Sequence, residues 1–524
     1  MVRKLLKIHP MKKFPVDLSE NGIRTLLNSP DSYARRFSET SLRPLLGYPK
    51  INGTLSNKQN EFPPVPWDME KLRAKVKSEV SKHVFGWYGE AESAAGDSTR
   101  KNVEAFSKYR ITPRYLRSDK SFSYPQTVVL SSKELGITRL TSPTPVFVAP
   151  YGAANLYGKN SDEISCAQGA TDANVVYTLG HLTKYTLEKI CRAVEGNAYY
   201  FNPRLRSPGG APPFSMFQIY LTDDDDINRS IIERVKRTNL SVLIFTIDAG
   251  AGHGGIQMMD DYADFTYASK IAGNLFEDPM FNYKCFLKIR CVGTRTPSVL
   301  AYASRRLRIP VAKLARTFDL KNAFTYAREI QFKGMAKQNS DKNPKSKMYP
   351  WSVAYLARLA HTQQTISPAY SKITHRRGLP LVVKGVMSVE DAVSVQKSGA
   401  DGVYVSNHGG RFVFNSVSPI DVLRQIHQKV KKSAPRFGVW FDSGVRSATD
   451  VLIAYSQGAE FVGIGRPVIY ACVDNGRGGV RQVLQSILYT LRDQARLCGL
   501  TSLAQLHEKG RPVIIHPESL QASR

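Results

Sequence analysis

Long apolar runs are missing from this chain of 524 residues. No stretch approaches the ~20 consecutive apolar residues that span a bilayer. The most apolar segments, such as 241–249, have the length of a strand, so no membrane span is expected. Cysteine is also sparse. Cys166, Cys191, Cys285, Cys291, Cys472 and Cys498 are scattered and form no C-x-x-C pair, which argues against a disulfide framework or a zinc site. No metal is expected. With no secretory leader in view, a reducing intracellular compartment is expected, the cytoplasm foremost. The start carries Arg3, Lys4, Lys7, Lys12 and Lys13 before the first acid, Asp17. That resembles a mitochondrial transit peptide only in part, because Pro10 and Pro15 interrupt any helix. The end, Gln-Ala-Ser-Arg, is not the Ser-Lys-Leu peroxisomal address. Mitochondrion and peroxisome stay open as alternatives.

Acids are few: 44 Asp and Glu against 73 Lys and Arg, a net charge of +29. Such an excess marks a nucleic-acid or anionic-membrane surface, or a basic surface that attracts small anions. It is partly local, with twelve Lys or Arg against three acids between 301 and 350. No nucleic-acid-binding motif accompanies it, so nucleic acid is not an expected partner.

The chain holds enough apolar residues, 42%, for a large core. Residues 1–61 lack periodicity and read as an extension, disordered or strapping; 516–524 reads as a tail. Between them, 62–515 reads as one domain. Helical spacing runs over 67–84 and 102–109. From Thr144 short apolar runs alternate with helical patterns. The runs are 145–150, 175–179, 215–220, 242–249, 379–384, 402–406, 438–442 and 461–465. Helical patterns include 227–238, 389–398, 419–432 and 448–457. This alternation implies parallel strands with right-handed crossovers, and eight units close an α/β (β/α)8 TIM barrel. An open doubly wound sheet is the alternative, weakened by the absence of G-x-G-x-x-G after the first strand. About 130 residues, 250–378, separate strands four and five. An insertion after strand four leaves a carboxyl end and is expected to form a lid over the barrel mouth; it includes a helix-like 353–362.

Active sites of such barrels lie at the carboxyl ends of the strands. Those ends carry Ala149-Pro150, Thr178, Gln218 and Tyr220, Thr246 and Asp248, Lys384, Ser406 with His408, Asp442 with Gly444 and Arg446, and Gly465-Arg466. The loops after strands seven and eight commonly bind phosphate, and Arg446 and Arg466 there imply a phosphorylated cofactor. Lys384 would place a positive charge against the cofactor ring. His408 could act as base with Asp248 stabilising its imidazolium. Arg411 would hold a substrate carboxylate, and Tyr220 could donate to a substrate oxygen.

Six motifs carry a resemblance: Phe-Gln-Ile-Tyr (217–220), Thr-Ile-Asp-Ala (246–249), Val-Lys-Gly (383–385), Ser-Asn-His-Gly-Gly-Arg (406–411), Asp-Ser-Gly-Val-Arg (442–446) and Gly-Ile-Gly-Arg-Pro (463–467). In them the chain resembles the FMN-dependent α-hydroxy acid oxidase and dehydrogenase family, which includes glycolate oxidase, lactate oxidase and flavocytochrome b2. The segment 86–106 and Asp278-Pro279 look closest to its lactate 2-monooxygenase-like branch. The resemblance implies bound FMN, oxidation of an L-lactate-like or larger 2-hydroxy acid to the 2-keto acid, and a homotetramer. It implies that His408 takes a substrate proton as two electrons pass to flavin N5, and that oxygen or a separate acceptor reoxidises the flavin. Lys384 would stabilise reduced flavin. Gln218 and Thr246 would bind the ring. Asp442, Gly444, Arg446, Gly465 and Arg466 would hold the ribityl phosphate. Tyr88 lines up with a tyrosine that contacts the substrate carboxylate. No His-Pro-Gly-Gly haem motif supports a fused cytochrome domain.

The chain also departs from the family. Where a second carboxylate-binding arginine is usual, 249–256 reads Ala-Gly-Ala-Gly-His-Gly-Gly-Ile, with Gly255 near the arginine position. Gly180 stands where a serine is common, and Phe412-Val-Phe414 replaces Gln-x-Asp. These changes predict a larger or less carboxylate-dependent substrate. Two other readings remain: an FMN-dependent isomerase or weakly active relative with a non-standard substrate, and a non-catalytic basic binding protein.

Overall fold

The computed structural model describes residues 68–80, 85, 96–115, 127–158, 160–201, 215–238, 240–249, 273–282, 284, 326, 330, 348–361, 378–413, 415–507 and 514–515. The chain divides into two units, Met1–Pro63 and Pro64–Arg524. All described residues belong to the second, so the extension expected at 1–61 lies outside them.

Two helices, α1 (Met69–Glu79) and α2 (Gly96–Glu104), precede the barrel. Its strands are β1 (Val146–Tyr151), β2 (Val176–Leu179), β3 (Ser215–Ile219), β4 (Leu240–Thr246), β5 (Leu381–Val386), β6 (Gly402–Val405), β7 (Gly438–Phe441) and β8 (Phe461–Ile464). All eight neighbouring pairs are parallel, and β8 pairs with β1 to close the cylinder. The expected TIM barrel is therefore the observed one, and the open sheet is excluded. Closure explains the apolar runs: both faces of each strand are covered, so alternation disappears.

One helix follows each strand: α3 (Glu163–Asp172), α4 (Leu187–Phe201), α5 (Asp225–Lys236), α6 (Met348–His361), α7 (Val389–Lys397), α8 (Pro419–Ser433), α9 (Ala448–Ser456) and α10 (Arg466–Leu497). Short polar side chains start several of them. Asp162, Asp224 and Ser388 accept N–H bonds from the first turns of α3, α5 and α7, and Ser447 with Asp450 forms a capping box on α9. Non-helical backbone at Asn475 and Gly476 kinks α10. Its Arg477 reaches α3, where it donates to both oxygens of Asp172 at 2.6 and 2.9 Å.

Inside the barrel Phe147, Tyr404, Trp440 and Phe461 pack with Met216, Val242, Ile244 and Val382. An antiparallel hairpin, Thr127–Ser132 with Ile137–Ser142, adds Leu130 to this cluster. Gly463 leaves room for the aromatics, since a Cβ there would lie 2.6 Å from the Tyr404 hydroxyl and 3.0 Å from Phe147.

The described parts of the long insertion pack against α5 and the loops that follow β2 and β3. Helix α6 is the ordinary fourth crossover helix, so the extra chain lies before it. Gly273 N–H donates to the Thr183 carbonyl at 2.8 Å and Asp223 N–H to that of Ile330 at 2.9 Å. Buried Asp278 accepts from Ser230 and Arg234 of α5. The stretch around Gly255, on which the missing arginine turns, and the other segments expected to form a lid lie outside the described residues.

Candidate active site

Three adjacent strand ends build one cluster. β4 stops at Thr246, and Asp248 follows two residues on. Lys384 stands in β5. Beyond β6, Ser406 Oγ accepts from His408 N–H at 3.1 Å, and His408 takes a left-handed backbone (φ 58°) that turns its ring back over the barrel. His408 Nδ1 lies 2.7 Å from Asp248 Oδ1, and Lys384 Nζ donates to Asp248 Oδ2 at 3.3 Å. Gly385 (φ 104°) permits this approach, because a Cβ there would sit 2.6 Å from Asp248 Cβ.

The charges of this cluster interlock. Burial alone would push the Asp248 carboxyl up, but His408 and Lys384 outweigh it and hold it at about 2. The carboxylate therefore accepts from Nδ1–H of His408, leaving Nε2 with the free lone pair. Burial lowers the His408 pKa, aided by Lys384 and opposed by Asp248. The imidazole is thus a neutral base whose protonated form has a carboxylate waiting.

The His408 loop is clamped from outside by α2. Thr99 Oγ1 donates to the Gly409 carbonyl at 2.9 Å. The buried amides of Asn102 and Asn407 exchange two bonds of 2.8 and 2.9 Å. Arg411 Nε donates to the His408 carbonyl at 3.1 Å. The Phe412 ring meets the imidazole edge-on, with centroids 4.7 Å apart.

A partly open cleft adjoins the cluster, lined by Pro150, Tyr151, Gly152, Leu182, Gln218, Tyr220, Thr246, Lys384 and His408. Six of these are expected site residues. Tyr151, Gly152 and Leu182 were not anticipated; Tyr151 is the last residue of β1, and Gly152 and Leu182 sit on loops, where no period or motif points to them. On one side Leu182, Tyr220, Ala249 and Phe412 form an apolar cluster. Thr178 Oγ1, Thr246 Oγ1 and Gln218 Nε2 are buried polar atoms with no hydrogen-bond partner among the described residues. Each lies at the carboxyl end of a strand.

Beyond the cleft, the ends of β7 and β8 gather cations. Arg466, 6% exposed, begins α10 and donates from Nη1 to the Gly409 carbonyl at 3.2 Å. Burial, with Arg411 and Arg446 nearby, pushes its pKa down to about 9. Burial likewise lowers Arg446. Three guanidiniums crowded this closely form a field suited to an anion. Asp442 is occupied within the protein, accepting from the Tyr404 hydroxyl at 2.7 Å and from Ser443 Oγ at 2.9 Å. Gly444 faces α2 rather than the cleft, since a Cβ there would lie 2.1 Å from the Asn102 carbonyl. Gly465 caps α10 beside Ala149. Tyr88 lies outside the described residues. Those residues include no group of three or more potential ligands that could hold a metal ion and no helix long and apolar enough to cross a membrane.

The same fold occurs in known proteins. An active mutant of (S)-mandelate dehydrogenase superimposes with a TM-score of 0.58 over 86% of this chain and 99% of that one, at 21% identity, a likeness of fold. By sequence, L-lactate oxidase of Streptococcus iniae is 26% identical over 83% of this chain and 83% of its own length. 2-Hydroxyacid oxidase 2 of Rattus norvegicus is 25% identical over 86% of this chain and 98% of its own length. The profile of the FMN-dependent dehydrogenases matches residues 76–511, a span that contains every described residue of the cleft and both charged clusters, so this chain belongs to the FMN-dependent dehydrogenase family, a family of oxidoreductases that use FMN.

Proposed function

We propose that this protein oxidises a 2-hydroxy acid with an apolar side chain larger than that of lactate to the corresponding 2-keto acid. The observation that carries this reading is the 2.7 Å contact between His408 Nδ1 and Asp248 Oδ1 at the edge of a cleft with an apolar wall.

The cleft fits FMN. The partnerless Thr178, Gln218 and Thr246 atoms match the polar rim of a flavin ring, as buried polar groups require partners. Ala149, Pro150 and Ser406 border the same strand ends. The crowded Arg446 and Arg466, beside the N-terminus of α10, suit its phosphate, with Asp442, Gly444 and Gly465 shaping the turns there. Lys384 suits the negative charge of the reduced ring. When bound, FMN would supply the acceptor for the two electrons and the second hydrogen that leave the substrate.

The protein's own residues do the rest. Arg411 binds the substrate carboxylate, with Tyr88 as a second contact. His408 Nε2 takes one proton from the substrate, and Asp248 stabilises the imidazolium through Nδ1–H. Tyr220 donates to the substrate oxygen. Leu182, Ala249 and Phe412 exclude water and contact the substrate side chain. Substrate binding then draws more on apolar burial, about 25 cal/mol per Å², and less on a second arginine. Oxygen or a separate acceptor completes the cycle.

The test is to purify the protein, record its visible spectrum and mix it without oxygen with glycolate, lactate, a branched aliphatic and an aryl 2-hydroxy acid. A yellow protein bleached fastest by the bulkier acids is expected. His408→Ala should keep the colour and lose bleaching. Ordinary efficiency on lactate or glycolate would overturn the substrate assignment, and failure of every acid to bleach the flavin would overturn the reaction.

A further inference from the structure

The loop after β2 carries a buried histidine that the chemistry above does not use. His181 is 2% exposed and spans two residues of the cleft. Its backbone N–H donates to Gln218 Oε1 at 3.1 Å. Its ring Nδ1 accepts from the Tyr220 backbone N–H at 3.1 Å. The imidazole stacks beside the Tyr220 ring, with centroids 6.3 Å apart. Both bonds are unambiguous in direction, because a backbone N–H only donates. Gln218 must therefore offer its amide oxygen to His181 and turn its NH2 group elsewhere, and Nδ1 must be unprotonated.

The residue is itself anchored. Asn274 Nδ2 donates to the His181 carbonyl at 3.0 Å and to Thr183 Oγ1 at 2.9 Å. Asn274 Oδ1 accepts from Leu187 N–H at 2.7 Å, and its carbonyl accepts from Arg234 at 2.6 Å. A rigid chain of bonds thus runs from α4 and α5 through the docked insertion to His181, and ends on Gln218 and Tyr220.

We propose that His181 is a positioning residue: its backbone sets the Gln218 amide so that NH2 faces the cofactor, and its ring holds the Tyr220 backbone that aims the phenol at the substrate. This rests on the flavin reading of the cleft. The ring serves as a neutral acceptor, in keeping with a pKa that burial lowers to about 4. Because one residue bonds the cofactor side through its backbone and the substrate side through its ring, loss of the imidazole loosens the loop that holds both and alters the flavin environment as well as the reduction step.

The experiment compares the holoenzyme with His181→Asn, His181→Gln and His181→Leu. The Asn side-chain oxygen reaches the position of Nδ1; that of Gln overshoots toward Nε2; Leu has no acceptor. The readouts are the band shape of bound FMN, the limiting rate of anaerobic flavin reduction, and the substrate Kd from the same titration. His181→Asn should stay within about threefold of the parent rate, with the parent spectrum. His181→Gln and His181→Leu should lose about tenfold or more in the limiting rate, the equivalent of leaving one buried N–H unpaired, with a changed flavin spectrum. If His181→Leu does not fold, the contrast between Asn and Gln decides. Equal damage in all variants, or none in any, overturns the positioning role. A parent protein whose spectrum depends on His181 but which no 2-hydroxy acid bleaches would instead overturn the proposed reaction and leave the positioning of the flavin contact standing.

Discussion

Asp248 offers the sharpest test of the proposed catalytic cluster. Both of its oxygens face donors: Oδ1 the His408 Nδ1–H at 2.7 Å and Oδ2 the Lys384 ammonium at 3.3 Å. Asp248→Asn keeps the shape but leaves one acceptor oxygen for two donors. If the oxygen stays with His408, the amide N–H2 confronts Lys384, which is only 2% exposed, and the imidazolium loses a charge-assisted bond of about 1.5–3 kcal/mol. That is about a 10- to 150-fold loss of rate. If the oxygen turns to Lys384, Nδ1 receives an N–H, the proton moves to Nε2 and the base disappears. A comparable tautomer error in a serine protease triad costs about 10⁴-fold. The ammonium of Lys384 is the stronger donor, so the second arrangement wins and a loss of at least about 100-fold is expected. Stopped-flow mixing with substrate in the absence of oxygen measures it directly, with the flavin spectrum reporting that FMN is still bound. The acid limb of the rate should also shift to lower pH, since Asp248 is what raises His408 against burial. A variant that holds FMN and reduces it within about tenfold of the parent would refute the assigned roles of Asp248 and Nε2.

Other expectations follow from the same geometry. Gly385→Ala should cost about 1–3 kcal/mol of stability, because φ 104° and the 2.6 Å approach to Asp248 are both closed to a side chain; denaturant unfolding of the holoenzyme measures it. Arg466→Met should weaken FMN binding at least about tenfold without lowering the melting temperature of the apoprotein, since Arg466 is held against burial and two other arginines. Glu163 is pushed by burial to about 7, above its unfolded value, so the folded chain holds the extra proton. Its stabilising contribution is complete below about pH 4.5 and is lost as pH rises through 7. Glu163→Gln should therefore gain about 3 kcal/mol over the parent between pH 5 and 8, read as the difference of two urea unfolding series.

Much of the barrel is legible in sequence because a closed parallel sheet leaves continuous apolar runs. The run 461–465 against β8 (Phe461–Ile464) and 215–220 against β3 (Ser215–Ile219) differ only at the end residue. β4 reads longer at its carboxyl end than it is, because Ile247 and Ala249 are apolar although the ladder stops at Thr246, where the chain turns to present Asp248. α3 left no stripe to read: Cys166, Ala167, Gly169, Ala170 and Thr171 are all buried, so polar and apolar residues do not separate by period. The start of α6 was hidden by Pro350, which belongs to its first turn and is harmless there. The candidate site shows the same division. Residues at strand ends carry chemistry in a fixed order and stand out. Asn102, which meets Asn407 across 305 residues, and His181 act only through partners that folding supplies, and no local pattern announces them.

The two charged clusters explain why a cleft with so many cations can still host a neutral base. Lys384 Nζ lies 3.3 Å from His408 Nδ1, and the Asp248 carboxylate, ionised down to about 2, contacts both and offsets that charge. Arg411, Arg446 and Arg466 crowd together instead at the far side, where Asp442 accepts from Tyr404 and Ser443. On the proposed reading, FMN would meet the arginines with its phosphate at the ends of β7 and β8, and Thr178, Thr246, Gln218 and the Asp248-paired Lys384 with its ring. On the proposed reading, that asymmetry sets which way round the cofactor binds, and it does so without raising the proton affinity of the cluster that would otherwise be poisoned by a nearby anion. Arg411 is the one residue that belongs to both regions: its guanidinium adds to the field on Arg466 while its Nε holds the His408 carbonyl. A substrate carboxylate bound there would neutralise part of the field that draws in the phosphate, so by charge alone substrate and FMN should each weaken the binding of the other. An FMN affinity unchanged by a saturating, unreactive carboxylate analogue would separate the two sites and remove that coupling.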